Sequence, residues 1–230
     1  MRAQADRGRA IVYRVEDDVE RRARLAHPHA GKPIGDTSVK NQHVRAARVA
    51  GKPWQHGASV WRGQVRDRLR CFVDEVVAHP TWCDLGGPAK VPVVRLGGSG
   101  GASTGGQFAK GLGVSIGERA TTYTVVHELA HVVAQHRGWY ESSPLFRAEG
   151  DSYDTGHGPQ WRAVTVLLTR LVLGEDWSED LNWCLNDKGL WLAKLGRLTA
   201  DDVPAGDLAG AVDRLHASAP DTVTVQSRLL

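Results

Sequence analysis

Apolar residues recur along this chain in blocks whose spacing sets the expected elements. Residues 10–26 carry Val12, Val15, Val19 and Leu25 at near-helical intervals with charges between them, which predicts a short strand or turn running into a helix. Residues 28–58 have few apolar side chains and hold Pro28, Gly31, Pro33, Gly35, Gly51, Pro53 and Gly57, so mostly loop is expected there. Over residues 59–79 the stripe Val60, Val65, Leu69, Phe72, Val73 and Val76 predicts a helix, stopped by Pro80. Residues 91–96 (VPVVRL) are long enough for one strand, and residues 97–106 (GGSGGASTGG) read as a flexible loop, either plain surface or a flap. Residues 112–116 (LGVSI) predict a second strand.

The strongest helical block follows. Residues 122–136 read TYTVVHELAHVVAQH. Val125, Val126, Leu129, Val132 and Val133 make this helix apolar on most sides, as in a buried element. Thr121 or Thr122 suits its N-cap and Gly138 follows its end. Residues 139–156 show no periodicity. Pro159 then starts a helix with Trp161, Val164, Leu168 and Leu171 on one face. Beyond Gly174 lie two weaker apolar segments, at 177–195 and 208–215, the second with Leu208, Val212 and Leu215 on a helical stripe.

Composition narrows the class. At 230 residues, 41% hydrophobic and 24% charged, the chain is ordinary for a globular protein. It has no apolar run near the roughly 20 residues of a membrane span, and no apolar segment follows its basic first ten residues. A cytoplasmic location is therefore expected, the host cytoplasm if the gene is a phage's. Cys71, Cys83 and Cys184 form no CxxC pair, which argues against a disulfide framework or a zinc ribbon. The net charge of +3 is unevenly spread: residues 1–70 hold 16 Lys/Arg against 7 Asp/Glu, the remainder 13 against 19. A basic N-terminal third suits contact with nucleic acid or another polyanion, although such runs are often only solvated faces.

Within the apolar helix, His127-Glu128-Leu129-Ala130-His131 is an HExxH motif. Residues four apart share a helix face, so His127 and His131 can direct their imidazoles at one metal ion, with Glu128 placed to act on a metal-bound water. A catalytic zinc takes three protein ligands. His136 lies about 140° around the helix from His131 and should point elsewhere. Glu149, Asp151 and Asp154 lie in the segment without helical pattern; the two aspartates could instead orient a ligand histidine. His157, 26 residues after His131 and directly before the Pro-started helix, is the best placed third ligand.

HELAH followed by HGPQW resembles the HExxH…HGPxF/W signature of SprT-like (Spartan-like) zinc metalloproteases. It also resembles a group of metallohydrolases from actinobacteria and their phages, whose N-terminal Val-Tyr segment, helix and strand before the motif occur in the same order. The resemblance covers residues 112–173. It implies an α+β fold with a zincin-like core, a small mixed sheet packed on the HExxH helix. It also implies Zn2+ bound by His127, His131 and His157, with Glu128 as general base. The strand at 112–116 would be the edge strand that pairs with extended substrate. The cysteines of a C-terminal zinc ribbon, frequent in SprT-like proteins, are missing, and the stretch between His131 and His157 is long for Spartan-type proteins.

The expected organisation is a basic N-terminal helix and loop segment (1–58), a catalytic core (59–174) and a C-terminal helical extension (175–230). The expected activity is hydrolysis of a protein or peptide substrate, with Tyr140, Tyr153 or a backbone N–H as donor to the oxyanion. A processing protease or toxin of a phage would share this chemistry. The competing expectation is a nucleic-acid- or protein-binding module on the same scaffold with vestigial catalysis.

Overall fold

The computed structural model describes residues 10–19, 32–97, 103–139 and 157–217. The fold is α+β, mostly helical, around one small mixed sheet. Residues 10–19 are helical (α1), with Val12, Val15 and Val19 buried on one side. No strand or turn precedes the helix within these residues, in contrast to the expectation.

The stretch expected as loop is the larger correction. Thr37–Val49 is a helix (α2), and the next helix (α3) spans Trp54–Ala78 rather than starting near residue 59. Helix α2 buries only Ala47, so it carries almost no apolar signal. It persists because Asp36 caps it, accepting from the Ser38 N–H at 2.7 Å, and because it packs on α3. Gly57 makes that contact close: a Cβ there would lie 2.2 Å from the His43 carbonyl oxygen. Pro80 ends α3 as expected and opens the short helix α4 (Pro80–Asp84).

The sheet has the order β1-β3-β2, with β1 (Val93–Leu96) parallel and β2 (Thr104–Phe108) antiparallel to β3 (Gly111–Ile116). Strand β3, expected at the edge, is therefore central. The edge beside it is β2, formed from the glycine-rich stretch expected as flexible loop; residues 98–102 of that stretch lie outside the described residues. Pairing to β3 makes a strand of TGGQF, whose own composition disfavours one.

Helix α5 (Thr122–His136) starts at a reciprocal cap between Thr121 and Thr124 and packs on β2 and β3. Helix α6 (Pro159–Leu173) starts at Pro159 and packs along α5. The weak segment after Gly174 is helix α7 (Glu175–Asp187), against α6, and the last stripe is α8 (Ala209–His216), against α3 and α6. Thr122, at the mouth of α5, lies 2.7 Å (Oγ1) from Nε2 of His216, tying the last helix to the motif helix. One apolar cluster runs from Val12 through Trp61, Phe72, Leu129 and Leu168 to Leu215. No described helix is long and apolar enough to cross a membrane. The three cysteines are free thiols.

Candidate metal centre

Helix α5 places Tyr123, His127 and His131 at four-residue steps along one face. Around that face its valines and Leu129 are fully buried, so the helix cannot turn without exposing them. His157 arrives from the other side, at the mouth of α6. Arg162, itself buried, donates from Nη1 to the His157 carbonyl at 3.0 Å and from Nε to the Trp191 carbonyl at 3.1 Å. These bonds fasten the first turn of α6, and with it the backbone of His157, to the segment after α7.

The three imidazoles converge. Nε2 of His127 lies 3.1 Å from Nε2 of His131 and 3.4 Å from Nε2 of His157. One donor atom from each histidine fits within 4.8 Å of the other two. Tetrahedral zinc with Zn–N bonds near 2.05 Å holds its nitrogens about 3.4 Å apart, close to the two distances from His127, and the all-imidazole chemistry suits that ion. Trp161 lies against all three rings, with centroids 4.8, 5.1 and 4.4 Å from His127, His131 and His157. Burial, then the charges of His127 and His157, hold the His131 imidazole well below its ordinary pKa. It is thus kept in the neutral form that a metal requires.

Helix α1 supplies the residues that sequence reasoning missed. Glu16, buried, accepts at Oε1 from Nδ1 of His127 at 2.6 Å and from the Tyr123 hydroxyl at 2.9 Å. Tyr13, one turn earlier, is stacked on His127 at 6.2 Å and sits edge-on to His157 at 5.3 Å, while remaining 45% exposed. The available signal was positional: Glu16 falls on the same helical face as Val12, Val15 and Val19.

Glu128 faces a cavity of about 340 Å3 that Tyr13, Asp17, Ser103 and Thr124 also line. Burial pushes its carboxyl up to about 7, with a smaller upward push from Glu16; His127 and the Gly105 N–H, which donates to the carboxylate, oppose the shift. Strand β2 passes directly over this residue. A Cβ on Gly105 would lie 1.9 Å from the Glu128 carbonyl oxygen, so only glycine permits the approach.

Of the sequence candidates, His127, Glu128, His131 and His157 are thus gathered at one place. His136 is exposed at the end of α5, away from the cluster. Glu149, Asp151 and Asp154 lie outside the described residues, as do Tyr140 and Tyr153. A carboxylate that orients one of these histidines is present in Glu16; whether either aspartate orients another lies outside the described residues. No family model, curated protein or solved structure matches the chain.

Proposed function

We propose that this protein is a zinc-dependent hydrolase of peptide bonds, with a zincin-like core formed by the sheet, α5 and α6. The observation that carries the reading is the convergence of three imidazole Nε2 atoms, 3.1 and 3.4 Å from the central one, beside a buried carboxylate. His127, His131 and His157 hold the ion, which when bound acidifies water and polarises a carbonyl. Glu128, with a carboxyl near neutrality, takes a proton from the attacking water as its oxygen bonds to the carbonyl carbon. It passes that proton to the leaving amine as the C–N bond breaks. An extended peptide added to the outer edge of β2, which pairs with no further strand among the described residues, would bring its carbonyl past Glu128, since Gly105 already touches that residue. The resemblance of HELAH…HGPQW to SprT-like proteases and actinobacterial metallohydrolases agrees with this chemistry.

The test is hydrolysis of an unstructured protein or a peptide library by zinc-loaded wild type and Glu128→Gln. Cleavage is expected in wild type, and a drop of about 10²–10⁴-fold in the variant with zinc retained. Equal rates would remove Glu128 from the chemistry.

The junction of α2 and α3 favours nucleic-acid contact alongside catalysis. Residues 37–62 hold five basic side chains and no acidic one; Lys40 and Arg62 pair with Glu118, which leaves Arg45, Arg48 and Lys52 for a polyanion. Arg45, Arg48, Lys52 and Trp54 are all exposed at that junction. Single-stranded DNA binding that weakens with added salt is expected; no binding at low salt contradicts it.

A further inference from the structure

Glu16 stands 111 residues from His127 in the chain, yet its Oε1 lies 2.6 Å from Nδ1 of that histidine. A carboxylate on the face of α1 that also buries Val12, Val15 and Val19 is costly to place unless hydrogen bonds and charge compensate it. Its Oε1 receives two donors from one face of α5: Tyr123 and, one turn on, His127. An imidazole whose Nδ1–H donates to a carboxylate keeps its lone pair on Nε2. In His127 that is the nitrogen facing the Nε2 atoms of His131 and His157.

We propose that Glu16 is a positioning residue of the metal centre. It fixes the tautomer and ring plane of His127, so that the N-terminal helix α1 is an integral part of the site rather than an appendage. The proposal rests on the metal-binding reading above and adds to it a carboxylate outside both HELAH and HGPQW. Carboxylates hydrogen-bonded to a ligand imidazole raise its basicity and restrict its rotation, and their loss costs about 10–100-fold in metal affinity. Tyr123 restrains the same oxygen. Glu16 is thus held by a hydroxyl as well as by the ring that it orients.

The experiment measures zinc affinity by competition with a chromophoric chelator, and visible absorption of the cobalt(II)-substituted protein. Full-length wild type, Glu16→Ala, Glu16→Gln and Arg14→Ala are compared, Arg14 being an exposed neighbour on the same helix. Glu16→Ala is expected to bind zinc about 10–100-fold more weakly and to show an altered cobalt spectrum. Glu16→Gln keeps an acceptor oxygen without the charge and should fall between it and wild type. It also serves where the alanine variant does not fold. Arg14→Ala should match wild type. Folded Glu16 variants with wild-type affinity and spectrum overturn the role of Glu16 alone. A wild type that binds no zinc overturns the metal reading, and this proposal with it.

Discussion

Glu128 carries two opposed demands. A buried carboxyl with its pKa raised to about 7 is poised to exchange protons near neutrality, but the same burial costs stability. The folded chain holds this proton between pH 4.5 and about 7, where the unfolded chain has lost it. The stabilising linkage is therefore complete below about 4.5 and disappears as pH rises through 7. Protein stripped of metal should accordingly become more stable on Glu128→Gln at pH 8, on the order of 3 kcal/mol, and change little at pH 4. Chemical denaturation at the two pH values measures it; equal gains at both would contradict the buried-charge account. At this scale the sequence was most informative. His127, Glu128, His131 and His157 are local in motif or punctuated by Pro159, and the structure groups them. Glu16 was invisible as a partner because nothing local to residues 10–19 indicates contact with a helix more than a hundred residues away.

Elements were legible where their stability is their own. Helices α5 and α6 have apolar faces in sequence, and they form with the Thr121 cap on the one and the Pro159 start on the other. Helix α2 and strand β2 owe their existence to neighbours. One buries a single alanine, and the other contains two consecutive glycines laid against β3 and α5. The glycine that weakens β2 as a strand is what lets it lie on Glu128. Gly105→Val should therefore push β2 off α5, destabilising the protein by about 1–3 kcal/mol and lowering hydrolysis even at temperatures where the protein is folded. Unchanged activity and thermal midpoint would show that the close approach is dispensable.

Across the whole molecule, the two ends of the described chain converge on α5. Helix α1 reaches it through Glu16 and Tyr13, and α8 through His216 and Thr122. One apolar cluster joins these pieces, so the site is assembled from segments far apart in sequence and depends on the fold being complete. This is why the spacing of motifs indicated the three histidines but not the order of the sheet or the part that helix α1 plays beside them. A ligand that binds only the folded state adds to its stability, so removing zinc should lower the melting temperature.

Whether three histidines hold a metal ion is answered by elemental analysis of wild type and His157→Ala, purified at neutral pH and confirmed as folded. About one zinc per chain is predicted for wild type, and a large loss for the variant. No metal in wild type, or full zinc in the variant, would contradict the three-histidine site.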